Sequence, residues 1–96
     1  MSNEVVKVQI ANRLLDKYGK DIQRQCMDGC VSRGDANMVI FAIRQSARKL
    51  KAMTRDEFAK LGNWDYISEA YSAYEAVMED LLLAVEYELD KMAAAV

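Results

Sequence analysis

Apolar side chains recur at alternating steps of four and three residues along the last third of the chain, from Trp64 to about Met92. The repeating positions are Ile67, Tyr71, Tyr74, Met78, Leu81, Val85 and Met92, with Glu88 as the one polar interruption. This spacing places the apolar side chains on one face of a helix, and no Gly or Pro interrupts it. The pattern predicts a long C-terminal helix over about residues 64–93, capped by Asn63 or Asp65. At about 1.5 Å per residue, the stretch from Trp64 to Met92 is about 43 Å long.

Three shorter helices are predicted upstream from the same kind of periodicity. They cover about residues 4–27, 36–53 and 55–61. Gly19 is a point at which the first helix either ends or is merely weakened, because the apolar stripe continues beyond the glycine. Asp35 is the expected N-cap of the second helix. Thr54 and Glu57 have the spacing of a capping box for the third helix, which Gly62 is expected to terminate.

Composition supports an all-α chain. Proline is absent, there are only four glycines, and helix-favouring residues are abundant. No segment alternates apolar and polar residues long enough to predict a strand. We therefore expect residues 1–96 to form one domain, a bundle of about four helices with a long C-terminal helix. No run of about 18 apolar residues predicts a membrane span, and the absence of a signal-peptide pattern favours a cytoplasmic protein.

Candidate chemistry is scarce. The chain has no His, which removes the commonest general base and metal ligand, and it has no glycine-rich phosphate loop. Cys26 and Cys30 are the two thiols, too few for a zinc site within one chain; a site shared across a dimer is the remaining alternative. We expect Cys26 to be a small buried side chain and Cys30 to be a loop thiol. The sequence thus predicts no enzyme activity, no metal, no cofactor and no small-molecule substrate.

Charge divides the chain unevenly. Residues 36–62 carry six basic and two acidic side chains, whereas residues 63–96 carry one basic and eight acidic side chains. The simplest interpretation is internal complementarity, in which the second helix pairs with Glu69, Glu75 and Glu79 on the last helix. Such pairs favour antiparallel packing of the two helices.

A basic ridge on the second helix offers a different interpretation. Its members are Arg44, Arg48, Lys51 and Arg55, spaced to share an arc of about 60°, with Phe41 at the edge. Such a ridge is able to neutralise phosphates and stack a base, or to dock an acidic protein surface. A sequence pI of about 5.1 argues against nucleic acid. The acidic row on the last helix suggests a further alternative, imitation of a phosphate backbone to inhibit a nucleic-acid-binding protein.

The length of the last helix leads to the main prediction. The second helix is about 27 Å long, so roughly ten residues of the last helix, near Leu82 to Met92, lack a partner within the chain. Exposed apolar side chains there mark an interaction site. The predicted interface residues are Leu82, Val85, Tyr87, Leu89 and Met92. We expect this overhang to form a homodimer or to enter a groove on another protein.

The sequence therefore favours a small non-enzymatic protein that binds another protein as a regulator, inhibitor, adaptor or assembly subunit. Accessory proteins of phages and mobile elements are often of this type, although no sequence feature of the chain indicates such an origin. The alternatives are a nucleic-acid-associated regulator that uses the basic ridge, or the acidic mimic.

Overall fold

A computed structural model describes residues 3–95, and all regular structure in that range is helical. The five helices are α1 (Asn3–Lys17), α2 (Gly19–Gly29), α3 (Arg33–Lys49), α4 (Arg55–Ala59) and α5 (Ile67–Ala94). The predicted all-α class and the long C-terminal helix are confirmed. None of these helices combines the length and the hydropathy needed to cross a membrane.

The core lies between the α1–α2 pair, α3 and α5, each of which packs against the other two. The short helix α4 packs against α5. With 28 residues, α5 is about 42 Å long, so it accounts for most of the 48 Å longest dimension of the molecule. The largest buried apolar side chains are Tyr74, Phe58, Ile43, Met78, Val39 and Val85.

The first predicted helix is bent rather than continuous. Tyr18, with φ −103° and ψ 19°, separates α1 from α2. Helical hydrogen bonds nevertheless continue through the bend: the Tyr18 amide donates to Leu14 O and the Ile22 amide donates to Tyr18 O, both at 2.9 Å. Gly19 begins α2, so the glycine weakens the helix without ending it. Both halves pack against α3 and α5, and the bend accounts for five helices where four were predicted.

α3 begins at Arg33, earlier than predicted, because Ser32 rather than Asp35 is its N-cap. The Ser32 hydroxyl accepts a hydrogen bond from the Asp35 amide at 3.1 Å. The Asp35 side chain is buried instead, and its Oδ2 accepts a hydrogen bond from the Asp65 amide at 3.2 Å. The predicted cap is therefore wrong, and Asp35 joins the start of α3 to the segment that precedes α5.

α3 also ends earlier than predicted, at Lys49 instead of Met53. Leu50 adopts the left-handed conformation, with φ 53°, and this conformation stops the helix. The Leu50 side chain packs against the core, which offsets the cost of a positive φ in a residue other than glycine. As a consequence, Lys51 and Arg55 do not lie on α3.

α4 begins as predicted. The Thr54 Oγ1 accepts from the Glu57 amide at 3.3 Å, and the Glu57 Oε2 accepts from the Thr54 amide at 2.8 Å, which completes the capping box. The predicted termination by Gly62 is wrong, because the helix ends at Ala59 and no glycine in residues 3–95 has a positive φ.

The start of α5 differs from the prediction as well. Tyr66 occupies the N-cap position without a capping side-chain hydrogen bond, so neither Asn63 nor Asp65 caps the helix. The preceding Trp64 ring stacks on the buried Phe58 ring, with 4.4 Å between ring centres. Aromatic packing therefore holds the entry to α5 where a polar cap was expected.

The second half of α5 has a partner within the chain, contrary to the prediction. Val85 is 1% exposed, and Leu82 and Leu89 are half-buried against the core. Two ion pairs join α1 to this half of α5: Lys7–Glu86 at 2.8 Å and Arg13–Glu88 at 3.8 Å. The prediction compared the last helix with the second predicted helix alone. It left out the first helix, which supplies the contact.

Candidate interaction surface

The face of α3 that points away from the core carries basic, amide and apolar side chains only. Hereafter the basic face of α3, it consists of Asn37, Phe41, Arg44, Gln45, Arg48 and Lys49. These residues follow one another at helical spacing, opposite the buried stripe that includes Val39 and Ile43. The one carboxylate of α3, Asp35, is buried. The exposed surface of this helix therefore bears no negative side chain.

Phe41 lies near the centre of the basic face and is 46% exposed. Arg44 and Arg48 follow it at about one and about two turns, or about 4.5 and about 10.5 Å along the helix axis. Neither arginine has a carboxylate partner, because the ion pairs in the described part of the chain both join α1 to α5. The result is an exposed aromatic ring within about two turns of two guanidinium groups that form no ion pair in the described part of the chain.

The predicted ridge of four basic residues does not form on one helix, because α3 ends at Lys49. Arg55 belongs to α4, where its Nη2 donates to Ser68 Oγ at 2.9 Å. Its guanidinium also lies 5.9 Å from the ring centre of Tyr71. Arg55 is thus engaged within the chain, whereas the two arginines of α3 stay together on one exposed face.

Lys51 lines a groove beside the basic face, with a volume of about 380 Å³. Lys49, Lys60 and one carboxylate, Glu57, also line it. Hydrogen bonds with Thr54 lower the pKa of Glu57, and the charges of Lys51 and Lys49 lower it further. The Glu57 carboxylate therefore stays ionised and is already bonded to the Thr54 amide. Three lysines against this one carboxylate leave the groove positive.

The outward face of α5 has the opposite charge. Hereafter the acidic face of α5, it consists of the exposed residues Glu69, Glu75, Glu79, Asp80, Leu83, Tyr87 and Asp90. Its two apolar members, Leu83 and Tyr87, are 64% and 63% exposed. Within residues 3–95 no ion pair joins this face to α3, so the predicted pairing of the glutamates with the second helix is wrong. The charge division of the sequence persists in the fold as two separate surfaces.

An apolar groove of about 270 Å³ lies between the α1–α2 bend and α5. Hereafter the α2–α5 groove, it has an apolar lining of Leu14, Tyr18, Ile22, Val77, Leu81 and Ala84. Gln25 and two exposed carboxylates, Asp21 and Asp80, complete the lining. Sequence reasoning did not predict this groove, because it arises where two segments distant in sequence meet. The apolar stripe that continues beyond Gly19 was the available signal.

The interface residues predicted on the last helix are divided by the fold. Val85 lies in the core and is not available to a partner, and Leu82 and Leu89 are half-buried. Tyr87 and Met92 are exposed. These two remain accessible as predicted interface residues.

The two cysteines are free thiols. Burial, and secondarily the neighbouring Cys30, raises the pKa of Cys26 to about 11. Burial and then Asp35 raise the pKa of Cys30, so both thiols stay protonated at neutral pH and are weak nucleophiles. Cys26 is fully buried, as predicted. In the part of the chain that the structure describes, no group of three or more Cys, Asp or Glu side chains is arranged to hold a metal ion.

No protein-family model, no curated protein and no solved structure matches this chain. Function is therefore inferred from the exposure, charge and shape of the chain's own surfaces.

Proposed function

We propose that this chain is a small non-enzymatic cytoplasmic protein that acts by binding another protein, as a regulator, inhibitor, adaptor or assembly subunit. Its main binding surface is the basic face of α3. The observation that carries the proposal is the exposed Phe41 ring on the same face as Arg44 and Arg48, on a helix that exposes no carboxylate of its own. Glu4 and Glu86 line a groove with Arg48 and Lys49 at the C-terminal end of this face. Arg and aromatic residues are enriched at protein interfaces and supply many of the residues that dominate binding energy.

The partner surface that fits this face is acidic and contains an apolar pocket. A pocket removes the Phe41 ring from water, which provides the non-directional part of the affinity. Carboxylates beside the pocket form bidentate hydrogen bonds with the guanidinium groups of Arg44 and Arg48. The same two charges select against partners with a basic rim.

The chemistry of the side chains supports a role without catalysis. The chain has no His, and burial raises the pKa values of both thiols. The Ser–His and Cys–His pairs that activate a nucleophile are therefore absent from the sequence. A binding role accounts for the exposed aromatic and basic side chains of α3 without requiring any of these catalytic groups.

A nucleic acid is the second candidate partner, favoured by the groove that Lys49, Lys51 and Lys60 line. Together with the two arginines of the basic face, these lysines are able to neutralise several phosphates, and Phe41 is able to stack on a base. The acidic face of α5 opposes this binding, because it repels a long polyanion. A protein partner presents a limited acidic surface, which is why it is the first candidate.

Two predictions made for the last helix, an interface and a nucleic-acid mimic, describe candidate secondary binding surfaces. Tyr87 and Met92 are exposed and available to a partner. The acidic face of α5 presents carboxylates along several turns, which keeps the proposal of a nucleic-acid mimic available. Both concern a different surface from the basic face, so they are separable by mutation.

Affinity capture from the host with three matched baits tests the proposal. The baits are the wild type, a basic-face variant (Phe41→Ser, Arg44→Gln, Arg48→Gln) and a control variant (Val31→Ser, Lys20→Gln, Arg24→Gln). Both variants lose the same charge and one exposed apolar side chain. We expect a protein that the wild type and the control capture, and that the basic-face variant loses by at least about tenfold, or about 1.4 kcal/mol. The purified partner must then bind the chain directly with the same loss.

The alternatives give different results in the same experiment. Capture that is lost both after nuclease treatment and in the basic-face variant assigns the basic face to nucleic acid. Titration of a labelled single strand at about 50 and about 200 mM salt then shows a steep loss of affinity. Equal capture by all three baits contradicts the proposal. Since all six substituted positions are exposed, the free energy of unfolding of each variant should lie within about 0.5 kcal/mol per substitution of the wild-type value.

A further inference from the structure

We propose that the basic face of α3 binds the α2–α5 groove of a second copy of this chain. Phe41 of one copy enters the groove, and Arg44 and Arg48 approach the carboxylates of Asp21 and Asp80 on the other copy. This inference rests on the proposed function, because it names a second copy as a partner of the same face.

Shape supports this pairing. Phe41 is the large apolar side chain exposed on the basic face, and the α2–α5 groove is a mainly apolar concavity of about 270 Å³. Pockets of about 300–1,000 Å³ hold drug-sized ligands, so a groove of this volume has room for one aromatic ring. Tyr18, which is itself exposed, forms part of the lining. Contact between two aromatic rings adds to the free energy of burying their area.

Charge is complementary between the two surfaces. Asp21 and Asp80 belong to no ion pair in residues 3–95, and the same holds for Arg44 and Arg48. Both carboxylates line an apolar groove, and both arginines lie within about two turns of Phe41 on the same helix face. Opposite charges around an apolar centre are the arrangement that specific protein interfaces favour.

The residues that line the groove include two carboxylates and no basic side chain. At about 100° per residue, Lys20 and Arg24 point more than about 90° away from the side of α2 that lines the groove. Lys17 lies at the edge of the groove, with its Nζ 5.3 Å from the ring centre of Tyr18. The lining itself therefore stays negative.

The positions of the two surfaces determine the kind of assembly. α3 packs against both the α1–α2 pair and α5, while the groove opens between those elements and no residue of α3 lines it. The basic face and the groove therefore point to opposite sides of the molecule. A contact between unlike, opposed surfaces adds copies head to tail, into rings or short chains. This assembly differs from the two-fold dimer predicted from the last helix.

Two variants test this contact in solution, and each of them has only one of its two contact surfaces altered. The face variant carries Phe41→Ser, Arg44→Gln and Arg48→Gln, and the groove variant carries Asp21→Lys and Asp80→Lys. By sedimentation velocity, the wild-type mass should increase with protein concentration and decrease with added salt. Each variant alone should stay monomeric. An equimolar mixture should form a complex of two chains and nothing larger. The face variant supplies an unaltered groove and the groove variant supplies an unaltered basic face, and the remaining surfaces of both chains are altered.

A control variant with Glu69→Lys and Asp90→Lys makes the same charge change on α5 outside the groove, and it should associate as the wild type does. Association that survives in the face variant alone or in the groove variant alone overturns the proposed contact, and so does a mixture that stays monomeric. A wild type that remains monomeric from micromolar to millimolar concentration overturns self-association. That result would not contradict the proposed function, which the capture experiment tests separately with other proteins. Circular dichroism of each variant verifies that it is folded.

Discussion

The hydroxyl oxygen of Tyr74 on α5 lies 2.6 Å from the Oγ of Ser46 on α3, and both side chains are buried. The same Tyr74 oxygen accepts a hydrogen bond from the Met53 amide at 2.6 Å. The neighbouring Tyr71 hydroxyl donates to Met53 O at 3.3 Å. Two tyrosines of α5 therefore hold both the last turns of α3 and the connection that follows it. This network positions the helix that carries the basic face.

Tyr74→Phe removes the hydroxyl and leaves the Ser46 hydroxyl and the Met53 amide without this partner. An unsatisfied buried polar group costs about 1–3 kcal/mol, and we expect the free energy of unfolding in urea to fall by this amount. Tyr87→Phe is the control, because it removes an exposed hydroxyl and should change stability by less than about 0.5 kcal/mol. Equal losses in the two variants would contradict the role of the network.

Gly29→Ala should destabilise the chain, because a Cβ at Gly29 would lie 2.7 Å from the Ala73 Cβ on α5. Overpacking of this kind costs about 1–3 kcal/mol. At Gly19, by contrast, no atom lies within 4 Å of an added Cβ, so Gly19→Ala should be neutral or stabilise by up to about 1 kcal/mol. Thermal unfolding compares the two. Adding Ala73→Gly should recover part of the loss, and a fully stable Gly29→Ala chain would refute the close crossing of α2 and α5.

Val85→Ala tests whether the second half of α5 belongs to the core. Val85 is 1% exposed, so its truncation should lower the free energy of unfolding by about 1–3 kcal/mol through lost burial and a cavity. Leu83→Ala removes a larger side chain from the acidic face and should cost less than about 0.5 kcal/mol. If Leu83→Ala destabilised the chain more than Val85→Ala in urea unfolding, the result would support the exposed overhang that the sequence predicted.

Stability should fall at alkaline pH in a way that depends on Cys26. Its folded-state pKa is raised from 9.0 to about 11, so the folded state holds the proton more tightly than the unfolded state does. The resulting stability is complete below pH 9 and is lost as the pH rises through about 11, up to on the order of 2–3 kcal/mol. Urea unfolding across this range should show a steeper decline for the wild type than for Cys26→Ala. Parallel declines would contradict the raised pKa.

Local signals predicted those features of the fold that depend on neighbouring residues. The capping box at Thr54 and the length of α5 are of this kind, because caps and apolar periodicity act within a few turns. The bend at Tyr18 and the end of α3 at Leu50 depend on packing against other helices, and tertiary contacts override propensity at such positions. The burial of Val85 was not predicted for the same reason, because the helix that packs against this half of α5 is α1, at the opposite end of the sequence.

The candidate surface was predicted in part. Helical spacing correctly placed Phe41, Arg44 and Arg48 on one exposed side of α3. Lys51 and Arg55 were wrongly added because the left-handed residue that ends α3 leaves no periodic signal. The α2–α5 groove combines residues from three helices, so periodicity within one segment could not predict it.

Fluorine NMR of the chain labelled with fluorophenylalanine tests the central claim, which is that the basic face of α3 is the surface covered on binding. The chain has two phenylalanines: Phe41 is exposed on that face, and Phe58 is fully buried and serves as an internal reference. When a complex forms, with a second copy at high concentration or with a captured partner, the chemical shift of Phe41 should change while the chemical shift of Phe58 stays constant. A Phe41 resonance that remains unchanged while the mass shows that a complex has formed would contradict the claim.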